Sequence, residues 1–321
     1  MVPRRAPSFW ESRDFARGGY GEPSSPPPIG TRPRRRLLAV LSLLALAGVL
    51  TACGERSEPT GETVRLYPVT VRDVEDRAIT VSEAPRRIAA LTAATADIVR
   101  ALGAGKRLVG STGRFFGPTG ELIAARVRAL RPDVVLAASD TDGIETRATA
   151  IRAPVFLAPN GSIEEVERAI TRVGLLLGRP VEARRLVHRI GAQRAEVARK
   201  LAGTSPVSVF VDTGFFSTVP EQSLAGDLIR QANGRNVAGA SVQPGPFDLV
   251  QLAQLDPDVY LATSDSGTTL RDLRHDARTK KLSAVRKGRF ATVDARLLEP
   301  GPTVGEGLLA VARALHPDAV R

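Results

Sequence analysis

The stretch Leu130–Asp140, LRPDVVLAASD, returns almost unchanged as Leu255–Asp265, LDPDVYLATSD. Each copy begins on a leucine that closes a helical pattern and passes through a proline, which cannot continue a helix. An apolar run of strand length follows, Val134–Ala137 in one copy and Val259–Ala262 in the other. Neither run alternates in the manner of a half-exposed strand. Uninterrupted runs of this kind suit strands buried on both faces, in parallel sheets covered by helices. The Ser-Asp pair that ends each copy is turn chemistry. A unit repeated in this way predicts two similar lobes facing each other across a cleft.

Outward from these copies, strands and helices alternate. Arg87–Leu91, Arg107–Ser111 and Pro154–Leu157 read as strands of the first half, with helices over 96–102 and 122–130. In the second half Val207–Val211 and Phe290–Val293 read as strands, with helices over 224–232, 249–255 and 304–315. The segments 69–74 and 78–81 form a small entrance hairpin. Between the halves, Ser162 with Glu165 three residues on makes a capping box for a helix whose apolar face runs from Ile163 to Leu177. Gly178-Arg179 interrupts it, and Pro180 suits the first turn of a new helix. That helix, reaching about Leu201, carries only the thin stripe Val187, Ile190, Val197 and Leu201, too narrow for one core and right for a bridge. The fold class is therefore α/β, two similar lobes of parallel sheet flanked by helices and joined by one long helix. The boundaries are 66–178 for the N-terminal lobe, 179–203 for the linking helix and 204–321 for the C-terminal lobe.

Ahead of this body, Arg34-Arg35-Arg36 precedes the apolar run Leu37–Leu50 and then Leu50-Thr51-Ala52-Cys53-Gly54. A basic region, a short apolar region and small residues before a cleavage point define an export signal. Its ending looks like a bacterial lipobox, with Cys53, the one cysteine of the chain, as the lipid-modified first residue of the mature protein. Residues 1–53 are read as a Pro/Gly/Ser-rich disordered extension plus lipoprotein signal peptide, and 54–65 as a tether. The expected location is extracytoplasmic, on the outer face of the cell membrane, by either general or twin-arginine export. A single cysteine allows no internal disulfide.

The net charge of +11 invites a nucleic-acid reading, yet much of it lies in the first 36 residues. Elsewhere the arginines share helices with acids, as in Glu164-Glu165-Val166-Glu167-Arg168, which describes solvated helix faces. Nucleic acid is set aside as a partner.

Several features together resemble one family. They are Pro85-Arg86-Arg87-Ile88 before a strand, Ala101-Leu102-Gly103 closing the first helix, both Pro-Asp motifs, the long middle helix, Ser223–Gly239 (SLAGDLIRQANGRNVAG) and the closing Leu315-His316-Pro317. In order and spacing, over roughly 66–318, they are similar to the cobalamin and ferric-siderophore type of ABC-transporter substrate-binding protein, the class with one helical linker. The resemblance implies a monomer that captures a metal chelate, a ferric siderophore or cobalamin, between two lobes for an ABC permease, with no cofactor of its own and no catalysis. Departures exist. Ala93 and Ala94 stand where the family has a Pro-Ser pair, with Asp97 at its acidic position. The segment between Phe116 and Leu122 is shorter than usual. The glutamates that dock on permease arginines align with Ala125 and Val250, leaving Glu121 and Asp248 as nearby substitutes.

The ligand-binding candidates follow the rule that ligands sit beyond the carboxyl ends of parallel strands. Two Phe-Phe pairs, Phe115-Phe116 after Gly113-Arg114 and Phe215-Phe216 after Gly214, are conspicuous where aromatics make up 4% of the chain. At least one ring of each pair is expected to face the other across the cleft and grip a flat chelate. Arg114 is expected to meet a carboxylate or the negative charge of a ferric chelate. Asp140, Asp265 and Thr213, with Arg296, are the polar candidates, joined by Ser139, Ser264, Ser266, Thr95 and Gln222; equally they are turn residues. The three histidines, His188, His275 and His316, share no ligand spacing, so a directly bound metal ion fits poorly. His316 reads as a helix cap and Tyr260 as core. Three readings stay open beside the receptor: a haem or other metal-complex receptor, an interaction protein without transport, and a chelatase-like enzyme, although no nucleophile elbow, phosphate loop or zinc-protease motif occurs.

Overall fold

The repeated Pro-Asp motif acquires a physical reason in three dimensions. The computed structural model describes residues 66–321 apart from 112, 140, 142 and 242–244. The export signal, Cys53, the tether and Asp140 lie outside the described residues. In the N lobe, β3 (Ile88–Ala90), β4 (Leu108–Ser111), β5 (Val134–Ala138) and β6 (Val155–Ala158) form a parallel sheet in the order β4-β3-β5-β6. Asp133, just before β5, accepts hydrogen bonds from the amides of Arg86 (2.7 Å) and Arg87 (2.8 Å), fastening the start of the neighbouring β3. In the C lobe, β7 (Val207–Asp212), β8 (Gly234–Asn236), β9 (Val259–Thr263) and β10 (Phe290–Val293) form a second parallel sheet, ordered β10-β9-β7-β8. There Asp258 accepts from the Ser208 amide (3.2 Å) and hydroxyl (2.6 Å), so the same residue type pins the corresponding pair. Each Pro-Asp ends a helix and sets the register of adjacent strands. The entrance hairpin, β1 (Val69–Arg72) and β2 (Ala78–Val81), is antiparallel.

Strand alternation distributes the core. Val134 and Leu136 of β5 face one way and Val135 and Ala137 the other; Val209 and Val211 of β7 oppose Phe210 in the same fashion. The inner faces of both sheets enter one shared core, while each outer face has its own. The shared core contains helix α4 (Ile163–Leu176), the linking helix α5 (Pro180–Lys200) and the terminal helix α10 (Val304–Leu315). Ala183, Leu186, Ile190 and Val197 supply the buried stripe of α5, each large side chain contributing about 2 kcal/mol by removal from water. Gly174 of α4 lies so close to Ala183 that a side chain there would collide, which is how the linking helix nests on α4.

A polar clamp adds to the shared core. Asp227, buried in α6 (Leu224–Gln231) of the C lobe, accepts from the Ile163 amide at the start of α4 (3.0 Å). Arg194 of the linking helix pairs with Glu164 and Glu167 of α4 and donates to Gln231 of α6 (3.1 Å). Burial raises the Glu167 carboxyl above its ordinary range, against the opposing pull of Arg194. Thus the lobes are joined by apolar packing and by hydrogen bonds, beyond the single covalent linker.

Several elements were absent from the sequence reading, among them strand β8, a helix over Leu270–His275 and the short helix Ser283–Arg286. Strand β8, Gly-Arg-Asn, has no apolar alternation to announce it. Helix α8 (Leu270–His275), which follows α7 (Leu249–Leu255), occupies what reads as a basic loop and thereby places His275 at a helix end. His316 is the cap residue of α10.

Candidate functional site

Segments that follow strands of both sheets border the space between the lobes. One cavity of about 450 Å³ takes Asn160 and Gly161 from the loop after β6. The C lobe supplies Thr213 after β7, Asp265 after β9, and Ala295 and Glu299 after β10. Val219, Pro220, Leu298 and Pro300 form its apolar wall, with Gln222 beside them. A second cavity of about 330 Å³ shares Glu299 and adds Ala93, Ala94 and Asp97 from α1 (Ala93–Ala101) opposite Asp294 and Arg296. The Ala-Ala that replaces the family's Pro-Ser pair therefore forms one wall of the cleft.

The hydrogen bonds divide this lining into structural and available groups. Ser139 donates to Asn160 (2.7 Å) and Ser264 accepts from the Ala295 amide (3.1 Å), both holding loops together. Ser266 accepts from the Thr268 amide (3.2 Å), and Thr95 is buried in a capping box with Thr92. Arg296 donates to Asp294 through two bonds (3.2 and 2.7 Å), and this pairing holds the Asp294 carboxyl below the usual range. Asp97 pairs with Arg100 (2.6 Å). Asp265 is exposed and engages no partner among the described residues. Among the described residues no three His, Cys, Asp or Glu converge as metal ligands.

The Phe-Phe pairs depart most from expectation. The first follows β4, an edge strand, whereas the second follows β7, whose place in its sheet corresponds to β3, so the two loops are not equivalent. Phe115 is 1% exposed and fills the outer core of the N lobe, and its ring cannot meet a ligand. The reason lies on β4: a side chain at Gly110 would come within 2.5 Å of the Phe115 ring, so the bare backbone there leaves the space that the ring occupies. Phe116 is half-buried against the same core. The expected grip of aromatic rings across the cleft does not form. Arg114 likewise lies outside the two cavities, in a shallow hollow beside β4 with Arg100 and Ser111.

The second pair behaves otherwise. Phe215 is 88% exposed and, with Phe216, adopts left-handed backbone angles (φ 51° and 60°), which bulky residues avoid. Asp212, fully buried at the end of β7, enforces this turn. One carboxylate oxygen accepts from the amides of Gly214 (2.8 Å) and Phe216 (3.1 Å), and the other from the hydroxyls of Tyr260 and Thr268 (both 2.7 Å). Burial and the adjacent Asp212 carboxylate push the Tyr260 hydroxyl well above its ordinary pKa. Phe216 packs inward beside Phe247, while Phe215 borders an apolar hollow with Pro246 and Val250, Val250 itself 68% exposed. Thr213 and Val219, on either side of the pair in the chain, line the larger cavity.

The docking candidates are engaged locally. Glu121 accepts from the Thr119 hydroxyl (2.5 Å), which with the backbone amides lowers its pKa. Asp248 caps α7 through the Val250 amide (2.7 Å).

Two parallel-sheet lobes, fused through a shared core and leaving a cleft lined by polar and apolar groups from both, define a solute-binding protein. Residues 116–297 match the periplasmic binding protein family, and the chain belongs to it. A curated relative, the uncharacterized ABC transporter substrate-binding lipoprotein YvrC of Bacillus subtilis, is 22% identical over 306 residues, covering 87% of this chain and 97% of the relative. Among solved structures, Helicobacter pylori CeuE in a nickel–histidine complex shares the fold with a TM-score of 0.69 at 15% identity, covering 78% of this chain and 89% of that one. The heme-binding protein HmuT gives 0.64 at 21% identity, with 77% and 90% covered. The periplasmic heme-binding protein RhuT of Roseiflexus sp. RS-1 gives 0.63 at 22%, with 74% and 99% covered.

Proposed function

We propose that this protein is an extracytoplasmic receptor, lipid-anchored through Cys53, that captures a metal chelate, a ferric siderophore or cobalamin, and delivers it to an ABC importer. The observation that carries the reading is the pair of adjoining cavities walled by both lobes, since a ligand held there touches two sheets at once. Its polar contacts come from Thr213, Asp265, Asn160 and Gln222, and its apolar contacts from Val219, Pro220 and Leu298. Phe215 offers a flat face to whatever part of the chelate overhangs the rim. Binding is non-covalent throughout. The relative named as an ABC substrate-binding lipoprotein supports the transport role, and neighbours named for heme or a nickel–histidine complex favour a metal complex as the ligand. Calorimetric titration of the full chain in detergent with ferric siderophores, cyanocobalamin and haemin tests it. Saturable binding of one of them is expected, and no binding at millimolar concentration overturns the reading.

A second reading, a receptor-like protein that no longer serves a permease, draws on one observation. Val250 and Ala125 are exposed and apolar at the family's docking positions, and Glu121 and Asp248 already hold local hydrogen bonds. Uptake reconstituted with a permease separates the two. A fall in the Glu121→Ala, Asp248→Ala double variant supports transport through these substitutes, and unchanged uptake removes them from docking.

A further inference from the structure

The charge of the cleft points away from an anionic ligand. Among the described residues that line the two cavities, four are acidic (Asp97, Asp265, Asp294 and Glu299) and one, Arg296, is basic. Arg296 turns the Nε–Nη2 edge of its guanidinium to Asp294, so these two charges largely offset each other. Arg114, the cation that the sequence offered for a ferric chelate, belongs to a different hollow with Arg100. Asp265 stands at the mouth of the larger cavity, directly after β9, and nothing described neutralises it. A chelate with net negative charge placed there would meet the Asp265 carboxylate, whose charge no described partner offsets, at close range, and like charges repel.

Resting on the chelate reading above, we propose that the cleft selects metal complexes of net positive charge, a cationic ferric hydroxamate being the type, and that Asp265 is the residue that meets the charge. The carboxylate sets specificity by attracting the cation and by excluding anionic catecholate complexes of similar size. The apolar wall of Val219, Pro220 and Leu298 suits the methylene chains of such a chelator.

The test is a calorimetric comparison on the full chain in detergent with three probes. These are the cationic ferric trihydroxamate ferrioxamine B, its N-acetylated neutral counterpart, and an anionic ferric tris-catecholate. The cationic complex is expected to bind about tenfold more tightly than the neutral one. That preference is expected to shrink at high salt and to vanish in Asp265→Asn. Because Asp265 is exposed and unpaired, the variant is expected to keep the wild-type melting temperature, which separates lost charge from lost fold. Equal binding of the cationic and neutral complexes, or tighter binding of the tris-catecholate, overturns charge selection while leaving a chelate receptor standing. A preference unchanged in Asp265→Asn overturns the assignment of the residue. Absence of binding by every chelate, haemin and cyanocobalamin included, overturns the receptor reading and this inference with it.

Discussion

Gly113-Arg114-Phe115-Phe116 turns its first ring into the N lobe, whereas Gly214-Phe215-Phe216-Ser217 holds its first ring out in solvent. The letters are nearly the same. What separates them is the neighbour beneath each loop. Under the first is Gly110, an empty backbone position that admits a ring. Under the second is the Asp212 carboxylate, which takes the amides of Gly214 and Phe216 and forces the left-handed turn that throws Phe215 outward. A large exposed apolar ring on a strained backbone costs stability, and such costs concentrate where a binding surface needs them.

The contrast can be broken or sharpened by substitution, beginning with the largest effect. Phe115→Ala is expected to cost about 3–5 kcal/mol in chemical denaturation, the range for a fully buried aromatic. Phe215→Ala should stay within about 0.5 kcal/mol of wild type. Comparable losses at the two positions would abolish the distinction. Asp212→Ala leaves the Tyr260 and Thr268 hydroxyls and two amides without their acceptor, for an expected loss of about 3 kcal/mol and faster hydrogen exchange at Gly214 and Phe216. Gly110→Ala drives a methyl group into the Phe115 ring and should cost about 1–3 kcal/mol by overpacking.

Phe215→Asn exploits the ease with which asparagine takes a left-handed backbone. Stability should hold or rise by up to about 1 kcal/mol, as strain is relieved. Chelate affinity should fall on the order of tenfold with the loss of the aromatic face. A gain in both would remove Phe215 from the binding surface.

The smallest effect concerns pH. The Ser208 hydroxyl bond holds Asp258 below the usual carboxylate range, outweighing the opposing effect of burial. Because the folded pKa lies below the unfolded value of about 3.9, this contribution is present at neutral pH and is lost as the pH falls through the folded pKa. Ser208→Ala should therefore reduce stability at pH 7 and flatten its acid dependence below about pH 4. Urea titrations at several pH values would show it, and an unaltered acid limb would count against the clamp.

Much of the architecture was readable. The two Pro-Asp strands announce themselves because a proline stop followed by an uninterrupted apolar run has few other meanings. The linking helix was legible from its thin stripe. Strand β8 was not, since Gly234-Arg235-Asn236 earns its place through pairing with β7 and not through its own pattern. Helix α8 did carry a signal, Thr269 with Asp272 three residues on, whose cap the structure contains. The cleft was partly legible. Thr213, Gln222, Asp265 and Arg296 lie where the strand-end rule put candidates, while Asn160, Leu298 and Glu299 needed the same rule applied to β6 and β10.

By itself the sequence determined the class: two α/β lobes, a stiff linker and a cleft. Periodicity and proline stops are local properties, and they survive without knowledge of neighbours. Tertiary structure alone decided which side chains face that cleft. Whether a phenylalanine is core or display depends on an absent side chain on the preceding strand or a buried carboxylate beneath the turn. Likewise, whether an arginine meets a ligand depends on whether an aspartate has already claimed it.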